Sequence, residues 1–384
     1  MARILWKDFS DCTGCGACAQ ACGVGAVQMK ANEYGFLFPY IDDERCVDCG
    51  RCDTVCPIKK NPYTWETEPQ CYALRHRSAE IIAKSASGGA FTALLDAIKP
   101  DAVFGAAFDA DFRVKHICAR TSEEVERLRG SKYVQSDTGD SFRAVKELLK
   151  DGNRVLYTGT PCQIAGLKGF LGRDHEGLIT CDLICEGVQS QRFFDRYLAN
   201  VQKKRGKVSS VSFRDKSRNG WERSNFTLGF ENGGVYTRIC QTKDSAYMNS
   251  MLFQGGNRDS CYACPFAAVP RQGDFTIGDL WGWRSMTPEW NDNAGISLLV
   301  CNSEKARGFL QQLDAVSEMK PVELEQACRQ NPNLVRPTHM PSSRSAYMED
   351  LKNMEFDQLE KKWLKPRSLA RRLASRLLFW WRNR

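Results

Sequence analysis

Eight of the 18 cysteines stand in two runs of identical spacing. Cys12-x2-Cys15-x2-Cys18-x3-Cys22 recurs 34 residues on as Cys46-x2-Cys49-x2-Cys52-x3-Cys56, followed by Pro57. Three sulfurs on a tight loop can surround one face of an iron–sulfur cube. The fourth, displaced along the chain, reaches a second cube, as in bacterial two-cluster ferredoxins. That rule assigns Cys12, Cys15, Cys18 and Cys56 to one 4Fe–4S cluster and Cys46, Cys49, Cys52 and Cys22 to the other. The small residues Gly14, Gly16, Ala17 and Gly50 let the backbone approach the sulfides and donate its N–H groups. Gly23 stands where a proline usually follows the fourth cysteine, which bears on the turn and not on ligation. Zinc sites need only two C-x2-C pairs, and the triplets are too crowded for disulfides. Eighteen cysteines are too many for a reducing compartment to hold idle and too few for a disulfide scaffold of this length.

Beyond this module, a turn-rich stretch from Asn61-Pro62 to Pro69 forms a linker, and the remainder reads as α/β. The strands are expected at Cys71–Arg75, Ala102–Phe108, His116–Ala119, Arg154–Tyr157, Leu178–Ile184, Asp274–Gly278 and Ile296–Val300, with a hairpin turned at Asn232-Gly233. Ser85 to Gly89 opens a helix through Ile98, and Thr121 with Glu124 forms a capping box for a helix to Leu128. Further helices are expected at Phe142–Lys150, Ile164–Phe170 and Gln191–Leu198. Successive strand–loop–helix units give parallel strands, so the loops holding Cys162 and Cys185 should emerge at one sheet edge, where open α/β sheets bind ligands.

Six ordered motifs sit on these elements: Ser85-Ala-Ser-Gly-Gly-Ala-Phe-Thr-Ala-Leu94, Gly130-Ser-Lys-Tyr-Val-Gln-Ser136, Gly159-Thr-Pro-Cys-Gln-Ile-Ala165, Asp182-Leu-Ile-Cys-Glu-Gly-Val188, Cys261-Tyr-Ala-Cys-Pro-Phe266 and Gly278-Asp-Leu-Trp-Gly282. Over residues 10–300 the chain resembles the coenzyme F420 hydrogenase/dehydrogenase beta-subunit family. The resemblance implies FAD in the α/β body, a 4Fe–4S cluster beside it, and exchange with a deazaflavin at the flavin. Glu186 departs from the histidine common after that cysteine in bacterial relatives. Among the residues themselves, Cys162, Cys185, Cys261 and Cys264 each lie in a loop next to glycine or proline and complete a third cluster site. Spacing leaves zinc at these four open. For the flavin phosphates, Ser85, Ser87, Gly88 and Gly89 offer hydroxyls and N–H groups at a helix start. Lys132 offers a point charge, and Thr158, Gly159 and Thr160 a second donor loop. The plainer reading of the same residues is a well-capped helix and an exposed lysine. Cys71, Cys118, Cys181, Cys240, Cys301 and Cys328 read as small buried apolar residues.

The net charge of +8 suggests nucleic acid until it is divided. Nine of the 54 Lys and Arg fall in residues 361–384, which hold no Asp or Glu; setting them aside leaves 45 against 46 acidic residues. The basic excess belongs to the tail, and nucleic-acid binding loses its support. The first ten residues lack a secretory core and the longest bulky apolar run, Leu377 to Trp381, is far short of a span, which points to a cytoplasmic protein. Leu369, Leu373, Leu377, Trp380 and Trp381 share a helical face, so residues 366–384 could lie on an anionic membrane surface or dock on a partner. The histidines (76, 116, 175, 339) show no metal or acid–base spacing, and there is no nucleophile elbow or P-loop, which argues against hydrolysis.

The expected organisation is an α+β ferredoxin-like module (1–62), an α/β mixed-sheet flavin-binding body in two parts (70–150 and 151–330), and a helical basic tail (331–384). The expected activity passes electrons between a deazaflavin-type hydride carrier and ferredoxin-like clusters through FAD, with ferredoxin or a redox subunit as partner. Two other readings share these parts: a ferredoxin-dependent flavin reductase of an organic substrate, and an electron-transfer subunit of a larger complex.

Overall fold

The computed structural model describes residues 9–59 and 68–365. The two cysteine runs fold alike. In each, a glycine in the left-handed region (Gly16, φ 81°; Gly50, φ 68°) turns the ligand loop into a short helix, Ala17–Ala21 or Arg51–Thr54. The positions two residues earlier, Gly14 and Asp48, also have positive φ, so the sequence repeat is a conformational repeat. Between the runs, β1 (Val27–Ala31) pairs antiparallel with β2 (Leu37–Ile41).

The body is built on eight strands: β3 (Gln70–His76), β4 (Ala102–Phe108), β5 (Val114–Ala119), β6 (Val155–Gly159), β7 (Leu178–Leu183), and, after the second sheet, the strands Phe275–Asp279, Ser297–Cys301 and Ser317–Val322. The second sheet comprises β8 (Val208–Asp215), β9 (Asn225–Phe230) and β10 (Val235–Ile239), which makes those last three β11, β12 and β13. The large sheet runs β13-β3-β12-β11-β7-β6-β4-β5. Its centre, β4, β6, β7 and β11, is parallel, and antiparallel strands flank it on both sides. The central strands are apolar on both faces, with Val155 to Tyr157 and Leu178 to Cys181 all buried, as a parallel sheet covered by helices requires. Strands from residues 70–150 and from 151–330 thus share one sheet.

β8, β9 and β10 are antiparallel, and the last two turn at Asn232-Gly233 as expected, with Gly233 at φ 78°. They close over an aromatic core of Phe193, Phe194, Tyr197, Phe213, Phe226 and Tyr247. The C-terminal helices Arg344–Asn353 and Phe356–Trp363 join that core through Tyr347, Leu351 and Leu359. Residues 344–364 are therefore packed structure rather than an appendage. The amphipathic stretch 366–384 lies outside the described residues. Among the described residues no helix is long and apolar enough to cross a membrane.

Three elements differ from expectation. The helix after β6 begins at Pro161, so Cys162 sits in its first turn and not in a loop. Thr160 and Gln163 form a capping box there, with Pro161 at a position where its missing N–H costs nothing. The helix from Gln191 continues to Arg205. A helix at Ala79–Lys84, capped by Ser78, precedes the Ser85 loop. The expected capping box of Thr121 and Glu124 is present at the helix Ser122–Leu128. Thr121→Ala should cost about 1 kcal/mol, seen as a lower urea midpoint with unchanged slope; an unmoved midpoint would mean that the cap contributes nothing.

Candidate iron–sulfur and cofactor site

In the N-terminal module, Cys12, Cys15, Cys18 and Cys56 line one small cavity closed by Met29, Pro39 and Ile58. The fourth cysteine of the second run thus meets the first three of the first run. Burial raises the Cys18 thiol, and Cys15, Cys12 and Cys56 raise it further. At the other end, burial raises Cys22, but the N–H groups of Val27, Val24, Ala26 and Gly25 outweigh it and hold the thiol below its ordinary range. The Ala26 amide donates to its sulfur at 3.2 Å. Cys52 is raised by burial, then by Asp53, with Cys46 adding to it.

The body brings four further cysteines together from three separate elements. Cys162 begins the helix Pro161–Leu171, Cys185 follows β7, Cys261 lies in the turn Asp259–Ala263, and Cys264 ends that turn. All four line a cavity of about 500 Å³ at the carboxyl ends of β6, β7 and β11. Burial and Cys264 push the Cys162 thiol up to about 11; burial, Cys162 and Cys264 push Cys261 up to about 12. Cys185 is raised by burial, then by Cys261 and Cys162, although the Gly187 N–H opposes this from 3.4 Å. Half-buried thiols, three of which are raised by their cysteine neighbours, suit a donor set built to face a multivalent cation. Among the described residues, no three His, Cys, Asp or Glu close on one point as around a single metal ion.

The helix Pro161–Leu171 joins the two sulfur sets. Cys162, Gly166 and Gly169 fall on one face at helical spacing. A Cβ on Gly166 would stand 2.8 Å from the Cys15 sulfur, and one on Gly169 would stand 2.5 Å from the Val55 carbonyl. Both glycines are where the module lies against the body. Thr13, between the first two ligands, lines both cavities, and its side chain pulls the Cys162 thiol down against the effect of burial. Around this seam Thr138 donates to the Cys15 carbonyl at 3.0 Å, Gln135 to Thr13 at 3.0 Å, and Arg143 to Gln20 at 2.7 Å.

The residues expected around the flavin phosphates are brought to this cavity, with Gly88 just behind its wall, but several have spent their donors. Ser85 donates to the Ile81 carbonyl at 2.7 Å and Ser87 to the Ile296 carbonyl at 2.8 Å. The Gly88 amide reaches Ser297, and the Thr158 hydroxyl reaches Phe104. Thr160 contacts the Cys162 sulfur at 3.2 Å and so belongs to the sulfur site. Lys132 is no exposed lysine: its ammonium donates to the carbonyls of Arg127, Leu128 and Arg129 at 2.8–2.9 Å, and burial pulls it down to about 7. It closes the end of the helix Ser122–Leu128. What faces the cavity is the start of the helix Ala90–Ile98, through Gly89, Ala90 and Phe91, with Gly89 at φ 93°. That end carries partial positive charge and backbone donors suited to an anion.

Sequence reasoning missed several residues of the wall. His116 is held by Thr158 and Ser136 at 3.0 Å and stacks on Tyr157; burial depresses it to about 4, leaving a neutral imidazole at neutral pH. Glu186, flagged for its departure from the family pattern, is raised by burial despite Arg214. Arg271 and Asp182, both wholly buried, form an ion pair at 3.3 Å. Glu186 adjoins Cys185 and Asp182 opens the same motif, whereas His116 and Arg271 have no neighbour in sequence that announces a role; Gly166 and Gly169, two glycines within a helix, were the one readable signal of close approach.

A cavity at a parallel sheet edge, walled by four cysteines and abutting a two-run cysteine module, defines an iron–sulfur oxidoreductase. Comparison with known proteins gives the class its family. Residues 71–142 match the model for the N-terminal part of the coenzyme F420 hydrogenase/dehydrogenase beta subunit, and residues 152–327 match the model for its C-terminal part. Residues 11–60 match a 4Fe–4S dicluster domain. The chain belongs to the coenzyme F420 hydrogenase/dehydrogenase beta-subunit family and carries a 4Fe–4S-binding domain at its N-terminal end. It is similar to a subunit of the F(420)H(2) dehydrogenase of Methanosarcina mazei, 22% identical over 303 residues, covering 74% of this chain and 80% of that one. An uncharacterized protein of Methanocaldococcus jannaschii is 27% identical over 203 residues, covering 45% of this chain and 56% of its own length. A solved F420-reducing NiFe hydrogenase complex of Methanosarcina barkeri contains a chain matched at 19% identity and TM-score 0.45, over 76% of this chain and 89% of that chain.

Proposed function

We propose that the protein passes electrons between a deazaflavin-type hydride carrier and a ferredoxin-type acceptor or partner redox subunit in the cytoplasm. The supporting observation is that four cysteines from three separate elements meet on the wall of the large cavity while Thr13 carries that wall into the N-terminal module. In this reading Cys162, Cys185, Cys261 and Cys264 hold a 4Fe–4S cluster, Cys12, Cys15, Cys18 and Cys56 a second, and Cys22, Cys46, Cys49 and Cys52 a third.

The cavity fits FAD, though through different donors from those expected. The helix start at Gly89 to Phe91 would receive a phosphate, while Leu183, Ile184 and Ile277 supply apolar surface and Trp281 a ring. A bound flavin would supply the exchange between a two-electron hydride and one-electron clusters. The chain's own part is to place, screen and fix charge. The ion pair of Arg214 with Asp279 at 2.7 Å sets a buried dipole at the cavity wall, and the neutral His116 adds no net charge. Cys49 is exposed, so the end of the module away from the body is the natural exit to a partner.

The test is anaerobic purification with iron, sulfide and flavin counted per chain, then addition of reduced deazaflavin. The flavin should bleach and regain its colour on adding oxidised ferredoxin. Full clusters with no flavin, or flavin that reduced deazaflavin leaves coloured, would overturn the reading.

A further inference from the structure

Arg258 is 1% exposed and stands where the body meets the module. Its backbone belongs to the body site: the amide donates to Val188, three residues past Cys185, and the carbonyl accepts from Cys261 at 3.0 Å. Its side chain belongs to the module site. Nε donates to the Cys12 carbonyl at 2.6 Å, and Nη1 to the Leu37 carbonyl at 2.9 Å and the Gln135 amide oxygen at 3.3 Å. The guanidinium lies over the Phe38 ring, 3.9 Å from its centre. Every one of these partners is neutral. Nη2 is buried and has no partner among the described residues. The adjacent carboxylate, Asp259, is engaged by Arg344.

A buried cation without a counter-ion costs several kcal/mol, and proteins keep one where an anion completes it. The guanidinium bonds the backbone of Cys12 on one side, and the Arg258 carbonyl takes the Cys261 amide on the other, so the residue lies between the two cysteine sets. Four thiolates around a cube give a net negative unit on either side.

We propose that Arg258 is the shared counter-ion of the two clusters at this junction, and that its fixed charge raises the reduction potential of both. The inference rests on the cluster assignment made above. One electron leaves one cluster and enters the other; no bond is made, no proton moves, and the guanidinium stays charged throughout. Because it touches both sites, it offsets the added negative charge wherever the electron resides. It acts through position and charge, so it is a positioning residue.

The experiment is a reductive titration of the full, cluster-loaded chain followed by electron paramagnetic resonance, with iron counted first. Arg258→Gln should make two of the clusters harder to reduce by about tenfold in the reduced-to-oxidised ratio, ~59 mV for one electron. The third cluster, on Cys22, Cys46, Cys49 and Cys52, should keep its midpoint. Arg258→Lys, which keeps the charge and loses the fork of hydrogen bonds, should restore most of the shift. Unmoved midpoints at full iron would overturn the proposal, leaving the arginine a strut. So would an Arg258→Lys midpoint as low as that of Arg258→Gln. If Arg258→Gln loses iron, Arg258→Lys is compared with the native chain: midpoints close to native support the proposal, and midpoints lowered by ~59 mV overturn it. A native chain free of iron would instead sink the cluster assignment itself.

Discussion

The Cys56→Ala chain is expected to lose the same cluster as Cys12→Ala, although 44 residues separate the two. Iron should fall from about twelve to about eight per chain, and the magnetic resonance signal that vanishes should be the one missing in Cys12→Ala. The ground is spatial: Cys56 lines the cavity of Cys12, Cys15 and Cys18, and raises the Cys18 thiol. On the proposed assignment that cluster would stand between the body and the exit, so reduced deazaflavin should still bleach the flavin while ferredoxin no longer restores its colour. A loss matching Cys46→Ala instead would show that each run holds its own cube and would dismiss the crosswise arrangement.

Arg271→Met is expected to be among the most damaging single changes in the body, at about 3–5 kcal/mol, because it leaves Asp182 charged and uncompensated in the interior. Asp182 also accepts the Gln272 and Gly273 amides at 3.0 Å, while Arg271 reaches the carbonyls of Leu183 at 2.8 Å and Phe266 at 3.1 Å. The pair thus bolts the segment after Cys264 to the end of β7, which leads into Cys185. Thermal unfolding followed by circular dichroism should shift downward, and iron should be lost from the body site before the module sites. A variant as stable as the native chain would mean that the amides alone satisfy the carboxylate. The paired replacement Arg271→Met with Asp182→Leu should recover only part of the loss, since it leaves no charge unpaired but deprives the Gln272 and Gly273 amides of their acceptor.

Chemistry that depends on local spacing was readable from the chain; chemistry that depends on tertiary approach was not. The cysteine runs, the capping box at Thr121 and the turn at Asn232-Gly233 are local, and each stands where expected. The meeting of Cys162 and Cys185 at one sheet edge followed from parallel strands, a rule of topology. By contrast, β13 contains Pro321, which speaks against a strand; it is tolerated because β13 is an edge. Lys132 looked like a phosphate ligand because only the fold shows its ammonium bound to three carbonyls. Ser87 misleads because its hydroxyl's partner, the Ile296 carbonyl, lies across the fold, and Ser85 because the helix before it supplies the Ile81 carbonyl. Arg258, distant in sequence from Cys12, carries no local mark at all.

One rigid rod carries Cys162 near its first residue and, one turn along at Gly166, bears on Cys15. Four residues of α-helix advance about 6 Å, a separation that solvent and temperature scarcely alter. On the proposed assignment, traffic between those two centres needs no swinging arm, so its speed should be indifferent to the viscosity of the medium. Any throttle on throughput then falls at the ends of the wire, where mobile carriers arrive and depart.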